Sequence, residues 1–280
     1  MKKKLSSIAG VTLIEILIGI LISVVMMAAM FTSYTVVNNS YSQVADRAKI
    51  STAGRDVIGM LLRDIRLAGF KYFNDNIPTS NKHAPIIITK SSNFAQSCDK
   101  IEIVYGTIAG KPTGDPLKYE YERYKITYEC KASTIPDKSV AVLSTGGYPP
   151  IKAFALYKSK LTWDNNTKKW KNPKTDGNNK TYSEEIVLEY VSDLVFNAID
   201  DNGYLIDPPP TPTNTTKDKL YNIKIVDIAL SVRSSKEFYR TSKLRELLAM
   251  TDTKRNQTNT DKFLRETIVV SAHARNLGLQ

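Results

Sequence analysis

The residues with the clearest potential for chemistry lie near the start of the chain. The small residues Ala9 and Gly10 precede an apolar run, so cleavage after Gly10 would leave that run on the mature protein. The new amino group would belong to Val11, four residues before the carboxylate of Glu15. A carboxylate inside a bilayer is costly and is therefore a candidate functional group. Two interpretations stay open: Glu15 pairs with the N-terminal ammonium of a neighbouring subunit in an apolar core, or it is an interfacial residue without a role.

The segment 11–31 has the length and composition of a membrane-spanning helix. Glu15 is its only charged residue, and about 20 apolar residues suffice to cross a bilayer. Lys2, Lys3 and Lys4 precede it, and the next basic residue is Arg47. This distribution predicts a cytoplasmic N-terminus and an exported remainder. A cleaved secretory signal would carry its small residues after the apolar run, whereas here they come before it.

Composition bounds the remaining chemistry. The 280 residues carry a net charge of +11 and are 42% hydrophobic, which is typical of a globular chain rather than a disordered one. Two cysteines and two histidines, His83 and His273, exclude a four-cysteine zinc site and leave little for a multi-histidine centre. The common nucleophile, zinc-protease and dinucleotide motifs are absent from the sequence. We therefore expect no enzymatic activity, no cofactor and no metal.

Apolar spacing continues the helix beyond the membrane span. One face recurs every three or four residues at Val37, Tyr41, Val44, Ala48, Ala53, Val57, Leu61, Ile65 and Ala68. The spacing slips between Ala48 and Ala53, and Gly54 and Gly59 weaken the helix, which predicts a bend or local melting there. Gly69 is placed as a C-terminal cap. The pattern predicts one helix over 11–68 whose second half packs on a domain.

The remainder, 70–280, is mostly β by its alternating and apolar segments. Strands are predicted at 86–89, 101–105, 119–130, 140–143, 221–233 and 263–272, with a hairpin over 161–171 and an ambiguous segment at 186–199. The proline-rich segment 207–216 and the polar segment 251–260 are expected to be loops. The expected fold class is α+β, a long N-terminal helix packed on a mainly antiparallel β domain. The expected organisation is a leader at 1–10, a transmembrane segment at 11–31, an amphipathic continuation at 32–69 and one exported domain at 70–280.

Several polar constellations in the exported part have competing interpretations. Cys98 and Cys130 are either a disulfide in an oxidising compartment or two buried thiols, and both roles are structural. The hairpin lysines at 168, 169, 171 and 174, with Trp163 and Trp170, fit a nucleic-acid contact or a plain solvated hairpin. The segment 200–203 is expected to be a turn rather than a calcium loop.

The N-terminal motif carries a resemblance to a known family. The sequence Gly10-Val11-Thr12-Leu13-Ile14-Glu15 after a basic leader resembles the type IV prepilin signal, with Val11 in place of the usual Phe. Later segments resemble PilW-like minor pilins: Arg63-Asp64-Ile65-Arg66-Leu67-Ala68-Gly69-Phe70, 98–106, 190–196, 226–234 and 265–276. Two of these depart from the family pattern, with Tyr190 in place of Gly and no Phe after Arg265.

The resemblance implies a pilin-like fold and a function in filament assembly. It implies cleavage after Gly10 by a prepilin peptidase, N-methylation of Val11 and an assembly role for Glu15. The implied partners are other minor and major pilins, an inner-membrane assembly platform, and membrane lipid before assembly. The implied location is the inner membrane and then a pilus at the cell surface, where the chain would prime assembly. A minor pseudopilin of a type II secretion system and, less favoured, a DNA-binding pilin for uptake are the alternatives.

Overall fold

The computed structural model divides the chain into two compact units, Met1–Ala48 and Lys49–Gln280. The residues it describes are 10–69, 83–91, 98–115, 118–138, 140–173, 175, 177, 179–206, 221–239, 241–247 and 257–277. The predicted loop 207–216, most of 251–260, Phe70 and the leader residues 1–9 lie outside them. The boundary between the units falls where the apolar spacing of the helix slips.

The described residues form one long helix followed by eleven strands. The elements are α1 (Leu13–Leu67), β1 (Ile86–Thr89), β2 (Lys100–Thr113), β3 (Lys118–Ala132), β4 (Phe154–Asp164), β5 (Lys169–Trp170), β6 (Tyr182–Ile199), β7 (Leu205–Ile206), β8 (Ile225–Glu237), β9 (Lys243–Leu247), β10 (Gln257–Asp261), β11 (Phe263–His273) and a 3₁₀ turn (Arg275–Leu277). The expected α+β class, a long N-terminal helix on an antiparallel sheet, is confirmed.

Nine of the strands form one sheet. Its hydrogen-bonded order is β1-β2-β3-β4-β6-β8-β11, with β5 added to β4 and β7 added to β6. Every pairing between these strands is antiparallel. The strands β9 and β10 form a separate two-stranded sheet. Part of the predicted polar loop 251–260 is therefore strand, because Gln257–Asp261 pairs with β9.

The ambiguous segment 186–199 is part of a single long strand. The first part of β6 pairs with β4 as far as Val191, and the part from Val191 onward pairs with β8. Tyr190 has a positive φ of 60°, and the register shifts on both sides of Val191. These irregularities redirect one strand between two partners, as bulges do.

The predicted strand at 140–143 is wrong. These residues lie in the loop between β3 and β4, where Leu143 N–H donates to Gly147 O at 2.9 Å and Gly146 N–H donates to Leu143 O at 2.9 Å. Gly146 and Gly147 both have positive φ values. The turn uses backbone groups that a strand would need, and the side chains of Val140, Val142 and Leu143 remain exposed.

Within the second unit, the helix packs across one face of the sheet. Val57, Leu61, Ile65 and Ala68 are buried, as the spacing predicts. A Cβ built on Gly54 would meet Val232 and Ile268, so β8 and β11 lie against that turn. At the other end, Gly69 N–H donates to Val104 O of β2 at 2.9 Å. The helix end has a positive φ of 107° at Gly69, as expected of a C-terminal cap.

Candidate functional site

The start of the helix is a reciprocal cap formed by Thr12 and Glu15. Thr12 donates its backbone N–H and its hydroxyl to Glu15 Oε2, at 2.9 and 3.0 Å. Glu15 N–H in turn faces the Thr12 hydroxyl at 3.4 Å. This is a capping box, which satisfies the donors at the first turn of a helix. The sequence pattern Thr-x-x-Glu is typical of such a box, although we did not predict the cap from it.

Gly10 and Val11 precede this cap and are exposed, with Val11 71% exposed. Cleavage between them would place the new amine one residue before Thr12. The three predicted residues Gly10, Val11 and Glu15 thus lie at the exposed start of the helix, two before it and one in its first turn. Glu15 already accepts hydrogen bonds from within its own chain there.

The first unit presents an apolar helix surface. Large apolar side chains from Val11 to Val44 are exposed, for example Leu13 at 83% and Met27 at 69%. Among the described residues, one helix, α1, is long and apolar enough to cross a membrane, with a mean hydropathy of 2.6 in its most apolar window. The hydroxyls of Ser23 and Thr32 donate to backbone carbonyls one turn earlier. These two hydroxyls are therefore satisfied within the helix, which suits a surface that contacts lipid or other apolar helices.

A buried ion pair fixes the helix to the sheet in the second unit. Asp64, which is 1% exposed, lies 2.7 Å from Lys158 Nζ on β4 and accepts a 2.6 Å hydrogen bond from Tyr128 on β3. Burial and the Asp64 charge raise the pKa of Tyr128, so its hydroxyl keeps the proton that it donates. Asp64 belongs to the Arg63–Phe70 segment of the resemblance, and its buried partners were not predicted.

A second buried carboxylate closes a gap in the sheet. Beyond Val191, β6 has an edge that β4 does not pair. Asp99 fills it: its N–H donates to Leu194 O at 2.9 Å, and Phe196 N–H donates to Asp99 Oδ2 at 3.0 Å. Lys90 donates to Phe196 O and lies 3.2 Å from Asp99 Oδ2. These groups replace the missing strand, since an unpaired edge leaves backbone donors and acceptors unsatisfied.

Cys98 and Cys130 are joined in a disulfide, with Cα atoms 5.6 Å apart. Cys98 directly precedes Asp99, and Cys130 is in β3 next to β2. The bond holds the residues that lead to the β6 edge against the sheet. The two open interpretations of the cysteines thus resolve, in this structure, to the bonded one.

The predicted hairpin at 161–171 is present as β4 and β5. Trp163 and Trp170 are opposite each other, with ring centroids 5.1 Å apart. The His83 ring lies 4.3 Å from Trp163, and Lys125 Nζ lies 5.3 Å from the Trp170 ring. Each indole packs against other groups of the protein. Proteins that bind single-stranded nucleic acid instead leave aromatic faces exposed for stacking with bases.

The turn of that hairpin is stabilised by Asp164. Its carboxylate accepts the Asn166 N–H and the Thr167 hydroxyl, both at 2.9 Å. The hydrogen bond from Asn166 lowers the pKa of Asp164. Lys168, Lys169 and Lys171 are exposed around the turn, while Lys174 lies outside the described residues.

The remaining polar candidates have local structural roles. Asp200 Oδ1 accepts the N–H groups of Asn202 and Tyr204, which is the expected turn at 200–203. His273 is exposed at the end of β11, and His83 belongs to the tryptophan cluster. Asp207, the next carboxylate after the 200–203 turn in the sequence, lies outside the described residues. Within the described ranges, no group of three or more His, Cys, Asp or Glu residues could hold a metal ion.

Comparisons with known proteins give a limited result. No protein-family model matches the chain, and no curated protein matches it. Among solved structures, the chain is similar to a type IV-like pilin from Thermus thermophilus, with 11% sequence identity and a TM-score of 0.44. The alignment covers 81% of this chain and 96% of that one. A likeness at this level carries no inference about function.

Proposed function

We propose that the chain is a minor pilin of a type IV pilus and resembles the PilW-like group. The observation that carries the proposal is the sequence Gly10–Glu15 at the start of a helix whose apolar side chains are exposed from Val11 onward. In this proposal residues 1–10 are a leader, which a prepilin peptidase removes after Gly10 before Val11 is N-methylated. Residues 11–31 span the inner membrane and later enter the filament core, and 32–69 continue the helix to the exported domain 70–280.

Assembly follows from packing in this proposal. Contacts of the apolar side chains of 11–31 with lipid are replaced by contacts with the helices of other minor and major pilins. The polarity of their surroundings changes little. The carboxylate of Glu15 moves from its own cap to the ammonium of a neighbouring subunit, which sets the register. The exported domain then meets neighbours at the surface, and the inner-membrane platform drives extrusion. Priming of assembly with other minor pilins is the role that the resemblance favours.

The first test is the mass of the N-terminal peptide of protein recovered from its native membrane or from sheared surface material. The proposal requires a mature start at a methylated Val11. An intact Met1 or a start beyond Phe31 would contradict it. Glu15→Ala should leave this processing unchanged and reduce incorporation into filaments, whereas Thr12→Val removes the cap hydroxyl and keeps the carboxylate, so incorporation should persist.

A minor pseudopilin of a type II secretion system would give the same N-terminal peptide. Deletion of the gene distinguishes the two: loss of surface pili with normal protein secretion supports the pilus, and the reverse supports the secretion system. DNA uptake is tested by the salt dependence of DNA binding to the full-length protein in detergent. An absence of binding at low salt would end that alternative.

A further inference from the structure

Arg233 is a buried cation on β8 with an unsatisfied donor. The residue is 5% exposed, and its Nε has no hydrogen-bond partner. The neighbouring Val232 points toward the helix at Gly54, so Arg233 points to the opposite face of the sheet. Its guanidinium carbon lies 4.1 Å above the centre of the Phe263 ring. This is a cation–π contact, which uses none of the N–H donors of the guanidinium.

A second arginine lies beside it. Arg265 of β11 is the cross-strand partner of Arg233. It is already paired, because its two terminal nitrogens bond both carboxylate oxygens of Asp261 at 2.7 and 2.6 Å. Arg265 Nε also faces Ser192 Oγ at 3.3 Å. Both oxygens of the Asp261 carboxylate are therefore hydrogen-bonded to Arg265 and not to Arg233.

The electrostatics favour a further anion at Arg233. Burial, and then the charge of Arg265, lower the pKa of Arg233, while Asp261 and Asp137 act in the opposite direction. A buried charge without a hydrogen-bonded partner is costly, and such a group in a native protein calls for an explanation such as a bound ion. A planar guanidinium matches the two oxygens of a carboxylate or phosphate. The contact with the Phe263 ring restricts the guanidinium and so prepares it for such a ligand.

We propose that Arg233 anchors an oxyanion site on the face of the sheet opposite the helix. The ligand is a carboxylate or phosphate group that bonds the in-plane donors of Arg233, and Arg265 adds positive potential beside it. The group can come from a free anion or from a carboxylate of another polypeptide. The site does not depend on the proposed pilin function, so the two can fail separately.

The test uses full-length protein in zwitterionic detergent. Thermal unfolding is followed against inorganic phosphate and, separately, acetate, with ionic strength held constant by chloride. A ligand that binds the folded state raises the midpoint in a saturable manner. Arg233→Lys keeps the charge but loses the planar fork, so the half-saturating concentration should rise about tenfold. Lys236→Met, a charge removal at an exposed position of the same strand, should leave it unchanged.

The outcomes separate the sources. A response to phosphate alone assigns a phosphate-type ligand, and a response to acetate assigns a carboxylate, including one from a protein. No saturable response to either anion, or an equal response in the wild type and Arg233→Lys, would overturn the proposal. If Arg233→Lys does not fold, the Arg233 Nε–H resonance of the wild type serves as the measurement. It should shift on titration with the anion, and a constant position would also overturn the proposal.

Discussion

The carboxylate of Asp64 on the helix lies 2.7 Å from the ammonium of Lys158 on β4, and both residues are buried. Tyr128 on β3 donates to the same carboxylate oxygen. One acidic side chain thus joins the helix to two strands. A buried ion pair of this kind adds little stability compared with well-packed hydrophobic residues at the same positions. Its geometry, however, fixes one position of the helix on the sheet.

Removal of Asp64 alone should destabilise the protein strongly. Asp64→Asn leaves Lys158 as an uncompensated buried charge, and we expect a loss of about 3–5 kcal/mol in the free energy of unfolding. Urea unfolding of the full-length protein in detergent measures it. The triple variant Asp64→Leu, Lys158→Met and Tyr128→Phe should recover most of that loss, because it leaves neither a buried charge nor the buried Tyr128 hydroxyl without a partner. Arg63→Ala is the comparison, because Arg63 Nε also lies 3.8 Å from Asp64 but its side chain is 79% exposed, so only a small loss is expected. An equal loss there would contradict the assignment.

Two helix glycines should respond differently to alanine. A Cβ on Gly59 meets nothing within 4 Å, so Gly59→Ala should stabilise the helix by about 0.5–1 kcal/mol. A Cβ on Gly54 would lie 2.7 Å from Ile268 Cδ1, so the side-chain end must move and most of the gain is lost.

Substitution by valine should separate Gly54 from Gly59 more clearly than alanine does. Gly54→Val adds two further methyl groups toward Val232 and Ile268, and such overpacking costs about 1–3 kcal/mol. Gly59→Val should be close to neutral at its exposed position. Denaturant midpoints compare the two sites directly. Equal effects at both sites would show that Gly54 is not a close contact with the sheet.

Loss of the disulfide should weaken the closure of the β6 edge. The bond closes a separation of 32 residues, and chain entropy predicts about 2–4 kcal/mol of stabilisation. The double variant Cys98→Ser, Cys130→Ser should lower the free energy of unfolding, measured in urea, by that amount. Hydrogen exchange should also quicken at Phe196, whose N–H is bonded by Asp99. An unchanged exchange rate at Phe196 would show that the disulfide does not support the closure of the β6 edge.

Acid should remove the contribution of the Asp261–Arg265 pair. Hydrogen bonds from Arg265 lower the pKa of Asp261 below its ordinary value of 3.8. A depressed folded-state pKa gives stability that is present above the unfolded value and is lost as pH falls through the folded one. Asp261→Asn should therefore be less stable than the wild type at neutral pH. The difference in urea midpoints should narrow as the pH falls below 3.8, and a constant difference would argue against the pair.

The elements that depend on local pattern could be predicted from the sequence. The apolar run 11–31 and the spacing through Ala68 predicted the helix, because a helical face repeats every three to four residues regardless of its partner. Gly69 predicted its end, and alternation predicted most strands. The N-terminal motif around Gly10 and Glu15 is likewise local, and its processing stays a prediction.

The contacts between distant residues could not be predicted from local pattern and follow from the global fold. Nothing in the spacing of Asp64, Lys158 and Tyr128 indicates that they meet, since their proximity depends on how the helix crosses the sheet. The 140–143 segment has strand-like residues, but its backbone hydrogen bonds go to a glycine turn. The closure of β6 by Lys90 and Asp99 likewise depends on the change of β6 from β4 to β8 next to Tyr190. Pairing across long sequence separations is set by the global fold, which local pattern does not encode.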